Sequence, residues 1–174
     1  MKFTLAALGI SVLAALPVCA QADMTVGVIY NNFSQSFAGN EIDSGAAAVQ
    51  LGYRYKFADT TLAVTLFGNV GVGTNTENVE LFGEVIEYEV DNYYSVSLRP
   101  EHKVFDKVTV YALASYGKFK SSIRQDGESF SDTANEFGYG VGTLVNVFDD
   151  VSLNLSFEKY DQVDSLAIGL EYKF

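Results

Sequence analysis

The chain has 174 residues, with 11 basic against 22 acidic ones, a formal net charge of −11, one histidine and one cysteine. That balance opposes nucleic acid as a partner, and a single thiol excludes a disulfide framework or a cysteine-ligated metal within the chain. Glycine (15), tyrosine (11) and phenylalanine (13) against two prolines suit strands better than helices, and the length after a leader is that of one domain.

The first element reads as a secretory signal peptide over residues 1–22. Met1-Lys2 supplies the positive end, Leu5 to Leu16 is a short apolar run, and Ala20-Gln21-Ala22 is a small-residue site that sets cleavage before Asp23. The run is too short to span a bilayer as a helix, and no later stretch offers about 20 consecutive apolar residues. Cys19 leaves with the leader, and Val18 and Pro17 ahead of it fit a lipoprotein site poorly. The remaining domain, 23–174, loses Lys2 and becomes more acidic still.

Three similar junctions divide that domain: Tyr55-Lys56-Phe57-Ala58-Asp59, Lys103-Val104-Phe105-Asp106-Lys107 and Asn146-Val147-Phe148-Asp149-Asp150. Each closes an alternating run on a phenylalanine, turns at an aspartate and opens another alternating run, and Phe174 makes a fourth such end. One rim therefore has short turns and the other longer connections, which is the asymmetry of outer-membrane barrels. The strands fall at about 24–31, 45–57, 60–73, 86–104, 108–125, 128–147, 151–160 and 164–174, giving an all-β, eight-stranded, antiparallel up-and-down transmembrane barrel.

Tight turns fix the register, and the apolar faces test it. The second turn pairs Val104 with Val108, His102 with Val110, Leu98 with Ala114 and Val96 with Tyr116. The third pairs Val147 with Val151 and Val141 with Phe157. The Asp126-Gly127 hairpin pairs Tyr116 with Phe137 and Ala114 with Tyr139, and the last hairpin pairs Phe157 with Leu166 and Val151 with Tyr172. Apolar residues meet apolar residues throughout.

The opposite face is polar, and in a membrane barrel it lines the lumen. Gly138, Gly140 and Gly142 on that face sit beside bulky Leu113 and Tyr111, the small-against-large pairing that fills a narrow barrel. Its charges alternate in sign, so Arg54, Lys56, Arg99, Glu101, Lys103, Glu158, Glu171 and Lys173 read as a lumen charge network and plug. Pro100 falls in mid-strand, where a missing N–H predicts a bulge. Further up the fourth strand the parity runs on, with Val90, Tyr88 and Ile86 on the lipid face and Glu87, Glu89 and Asp91 on the other.

The last strand alternates strictly, Leu166, Ile168, Leu170, Tyr172 and Phe174 on one face, and ends the chain on an aromatic. Gly169, Tyr172 and Phe174 reproduce the glycine, aromatic, aromatic spacing of bacterial outer-membrane barrels, so the strand resembles their terminal strand; Ala167 stands where that pattern carries a polar residue. The resemblance implies that Gly169, Tyr172 and Phe174 are the signal read by the barrel-assembly machinery. In length and layout the domain is similar to the OmpX and Ail family of small surface barrels, whose middle strands protrude. Strands of eighteen residues at about 3.3 Å each exceed the 9–11 needed to cross the bilayer, so here too part of the sheet stands outside. An exposed edge there suits an extended partner strand.

Outer-membrane enzymes of eight strands include lipid A deacylases, whose family places a histidine two residues before a serine. Here Lys103 and Val104 follow His102, which the register sets at the turn rim facing lipid, and no nucleophile-and-base pair accompanies it, so no enzyme is expected. Tyr116, Lys118, Lys120 and Arg124 continue one lipid-facing row into the zone of lipopolysaccharide phosphates. The acidic loop from Glu77 to Glu89 lacks the spacing of a calcium loop, and no metal or cofactor is expected. The expectation is a monomeric outer-membrane protein with a structural or surface-interaction role in adhesion or envelope integrity, in contact with outer-membrane lipid and lipopolysaccharide and open to an extracellular protein partner. A narrow porin-like channel for small or apolar solutes is the alternative, and a lipid A enzyme or a soluble periplasmic barrel are the remaining ones.

Overall fold

The computed structural model describes residues 22–37, 40–73, 76–81, 84–125, 128–161 and 163–174. The signal segment before Ala22 and the Asp126-Gly127 hairpin lie outside the described residues. The chain forms β1 (Ala22–Phe37), β2 (Asn40–Lys56), β3 (Leu62–Gly73), β4 (Thr76–Leu81), β5 (Glu84–Phe105), β6 (Val108–Gln125), β7 (Glu128–Asn146), β8 (Val151–Lys159) and β9 (Val163–Lys173). Every neighbour is antiparallel, β1 lies between β2 and β9, and β3 pairs with β5 to close the ring. β3 and β4 pair with successive stretches of β5, so they share one place and the ring has eight.

At the turn rim the strands are joined in few residues. Val147 N–H donates to the Val151 carbonyl at 2.9 Å, and Phe57 N–H to that of Leu62 at 3.2 Å. Asp59 stands at φ 57°, a left-handed position that aspartate tolerates because its short side chain bonds locally. That accounts for the aspartate at the first junction; Asp106, Asp149 and Asp150 turn the other two without a left-handed backbone.

The partition of side chains is that of a barrel in lipid. Among the described residues, Thr25, Thr65, Arg99, Ser115 and Ser165 are the largest fully buried side chains, while Val28, Val49, Val96, Val141 and Ile168 on the outer rows are each at least half exposed. Only a solvent as apolar as the rows themselves makes that arrangement favourable. Tyr94, Tyr116, Phe137 and Tyr139 end the apolar rows on the outer side, and above them β4, β5, β6 and β7 continue as a protruding sheet.

The register agrees with the sequence at His102–Val110, Leu98–Ala114, Tyr116–Phe137, Val141–Phe157 and Val151–Tyr172. Three details differ. Val108 pairs with Phe105, and Val104 is the extra residue of a bulge between Lys103 and Phe105. At Pro100 there is no bulge: the β6 ladder skips Arg99 and Pro100 and resumes in the same register, so the missing N–H costs two pairings without shifting the strand. The bulge is at Asp91 instead, between Val90 and Asn92, and it reverses the parity above it. Val90 is buried inside and Tyr88 packs against the same inner cluster, not on the lipid face. The stretch from Glu77 to Glu89 is not a loop but the hairpin of β4 and β5.

Candidate functional site

Two places carry organised chemistry: the lumen and the protruding sheet. In the lumen, β2, β5 and β9 bring Arg54, Arg99, Glu101 and Glu171 together as a charge-balanced quartet. Arg99 Nη1 and Nη2 donate to Glu171 Oε2 and Oε1, both at 2.9 Å, and Arg99 Nε donates to Glu101 Oε1 at 2.8 Å. Arg54 Nη2 lies 2.7 Å from Glu101 Oε2, and Thr65 Oγ1 donates to Glu101 Oε1 at 2.6 Å. The Arg99 guanidinium carbon also sits 4.2 Å from the Phe67 ring centre and 4.9 Å from that of Tyr111. Arginine suits this position because its planar fork satisfies a carboxylate with two bonds while its faces stay against aromatic rings.

The other predicted lumen residues are placed apart from this quartet. Glu158 lies one layer further out, accepting from Ser115 Oγ at 2.8 Å and from Tyr160 OH at 3.0 Å. Lys56, Lys173 and Lys103 belong to the turn rim, with Asp23 at 2.6 Å, Asp150 at 3.9 Å and Asp106 at 3.9 Å. They ring a polar vestibule of about 570 Å3 that ends against Arg54 and Glu171. Between the quartet and Glu158 remains a cavity of about 20 Å3, no more than a water's worth of space.

Sequence reasoning missed a second closure. Phe33, Tyr93, Phe119 and Tyr160 stack across the outer half of the lumen: Phe33 meets Tyr93 edge-on at 5.5 Å, Tyr93 lies parallel to Phe119 at 5.7 Å, and Phe119 meets Tyr160 edge-on at 5.1 Å. Room for these rings comes from glycines on neighbouring strands. A Cβ at Gly71 would lie 2.0 Å from Tyr93 Cε1, and one at Gly138 would lie 2.5 Å from Tyr160 Cε1. The signal was present in the sequence as inward glycines beside aromatics, which pointed to Gly142 and Tyr111 but was not followed upward.

On the outside, Tyr116 is well exposed and Lys118 and Lys120 follow it along the same row. Lys120 Nζ lies 3.4 Å from the bulged Asp91. The side chain of Arg124 lies outside the described residues. In β9, Gly169 pairs with Ile29, where a Cβ would lie 2.4 Å from the Val28 carbonyl. Tyr172 and Phe174 meet edge-on at 4.8 Å, and Phe174 N–H donates to the Met24 carbonyl at 2.9 Å. His102 is exposed on the outer wall by the turn rim, its Nδ1 3.1 Å from Thr61 Oγ1.

The protruding sheet ends in an open edge. β8 pairs with β7 from Asn146 as far as Tyr139, opposite Lys159, and among the described residues no strand continues beside β7 beyond that point. Residues 129–135 of β7 stay bonded to β6 on one side and are exposed.

The family model for the outer membrane protein beta-barrel domain matches residues 3–174. The attachment invasion locus protein of Yersinia enterocolitica is 27% identical over 162 residues, 90% of this chain and 86% of its own length. Outer membrane protein X of Escherichia coli K12 is 25% identical over 160 residues, 90% of this chain and 84% of its own. In structure, the chain is similar to Ail of Yersinia pestis with a TM-score of 0.61 at 22% identity, covering 88% of this chain and 97% of that one, a likeness of fold. The chain belongs to the outer membrane protein beta-barrel domain family, as an OmpX- and Ail-like barrel of the bacterial outer membrane.

Proposed function

We propose that the protein acts at the cell surface as an interaction protein, presenting its protruding sheet to an extracellular protein and receiving an extended segment along the free edge of β7. One observation carries the reading: the stretch 129–135 pairs with β6 on one side and, among the described residues, with no strand on the other, its Thr133 N–H donating to Asp132 Oδ1 at 2.7 Å within the strand. An unpaired edge of that kind is the template for strand addition. Attachment and invasion, named for the Yersinia relative, fit such a surface. The narrow-channel alternative finds less support, because the ionic quartet and the aromatic stack lie across one lumen in series.

Other parts of the reading serve this one. The leader 1–22 is removed on export, Gly169, Tyr172 and Phe174 present β9 to the barrel-assembly machinery, and Tyr116, Lys118, Lys120 and Arg124 meet lipopolysaccharide around a monomeric barrel. The test is adhesion of bacteria expressing the full chain to epithelial cells, compared with Thr133→Pro and Ala134→Pro variants, adjacent residues whose N–H groups point to opposite sides of β7. Proline removes an N–H from the edge and obstructs a further ladder. We expect the variant whose N–H faces away from β6 to lose adhesion while its outer-membrane band in gel electrophoresis remains heat-modifiable, the shift on boiling that marks a folded barrel. Equal adhesion in both variants and the parent sinks the reading.

A further inference from the structure

Above the aromatic stack the barrel opens outward into a cup of about 140 Å3. Phe33 and Phe119 form its floor, and Val90 and Tyr88, turned inward by the bulge at Asp91, form part of its wall. The β7 side differs in kind. Asp132 and Glu136 there add two carboxylates, and among the described lining residues none is basic. Burial raises the Tyr88 phenol above its ordinary range, against a hydrogen bond with Ser121, and the Glu136 charge adds to the rise. The hydroxyl is thus neutral, and the field of Glu136 reaches the interior of the cup.

We propose that this cup binds an alkylammonium or guanidinium group, supplied by a lysine or arginine side chain of the segment that lies on the β7 edge. Ring faces attract a cation, and nearby carboxylates offset the water it gives up. The volume is about that of four or five waters, the size of a butylammonium chain. Position agrees with chemistry, since the strand that carries the free edge also carries Asp132 and Glu136. In an added strand, alternate side chains point to the inner side of the sheet, next to that acidic row. The acidic balance of the whole chain further favours approach of a basic segment. A partner side chain as the source rests on the surface-interaction reading; the preference for a cation does not.

The experiment follows Val90 methyl and Tyr88 ring signals by NMR, with the full barrel in lipid nanodiscs. The small probes are butylammonium and its neutral counterpart butanol. The peptide probes are alternating Thr-Val segments with a central lysine, norleucine or glutamate. We expect saturable shifts with butylammonium and not with butanol. The lysine peptide should bind about tenfold tighter than the norleucine one, the scale of one charge-assisted contact, and this preference should vanish in an Asp132→Asn/Glu136→Gln variant that remains heat-modifiable. Butylammonium binding lost in that variant, with no peptide binding at all, upholds the cup and removes the edge as its source. Equal binding of all three peptides overturns the cup and leaves the edge reading standing. No saturable shift with either butylammonium or the lysine peptide also overturns the cup.

Discussion

Arg99 and Glu171 lie 72 residues apart and join opposite walls of the barrel, β5 and β9 being four places apart in either direction around the ring, through two hydrogen bonds of 2.9 Å. Arg54 and Glu101 complete a set with no net charge, so the arrangement is stable as a set and unstable when one member is missing. Arg99→Met should destabilise the folded barrel by about 3–5 kcal/mol, because two carboxylates are then left with one cation in a buried place. Adding Glu171→Gln should recover part of that loss, since Arg54 and Glu101 remain as a neutral pair. Urea unfolding in lipid vesicles measures both; a single variant within about 1 kcal/mol of the parent would show that the quartet contributes little.

The glycines that face aromatics should tolerate no side chain, whereas those that face lipid should. Gly71→Ala sets a methyl 2.0 Å from the Tyr93 ring, and Gly68→Ala meets nothing within 4 Å. The first is expected to cost about 1–3 kcal/mol through overpacking, and the second to stay within about 0.5 kcal/mol. Combining Gly71→Ala with Tyr93→Leu should restore stability. Equal effects of the two alanines in thermal unfolding would remove the interlocking account.

The two closures in the lumen are in series, so opening one leaves the other. Planar bilayers should show no steady conductance for the parent, for Arg99→Ala with Glu171→Ala, or for Tyr93→Ala with Phe119→Ala. The fourfold variant should conduct, if it folds to a heat-modifiable band. Steady current through the parent would revive the channel reading.

Lipopolysaccharide binding should be weakened by Lys118→Ser and less so by Lys120→Ser, whose charge is already drawn to Asp91 at 3.4 Å. A lysine near an anionic surface contributes about 1 kcal/mol, so the double variant should bind lipopolysaccharide roughly fivefold to thirtyfold more weakly, with a shallower salt dependence. Unchanged retention of lipopolysaccharide through purification would assign both lysines to solvent.

Much of this fold could be read from residue order, because turns at Asp59, Asp106 and Asp149 lock hairpins whose faces must then agree. His102 opposite Val110 and Tyr116 opposite Phe137 follow from counting alone. The bulges do not. At Asp91 the alternation from Leu98 to Tyr88 keeps its parity with Asn92 as the one polar member of the row, and only the pairing of Asn92 with Lys120 and of Val90 with Ser121 moves it. The adjacent polar pair Asp91-Asn92 within an apolar row was the available signal. Lumen charges were recognisable as inward, but their grouping was not: whether Glu158 or Glu101 meets Arg99 depends on height and strand stagger, which parity leaves open.

The extra residue at Asp91 also marks where the chain changes language. Below it, β5 is written for oil, with serines and the Arg99 and Glu101 charges turned inward and Val96 and Leu98 outward. Above it, Val90 turns inward and Glu87 lies exposed, the ordinary grammar of a water-soluble sheet. One inserted residue therefore lets a single strand obey two solvents in succession, and the membrane surface on β5 is recorded in the backbone itself.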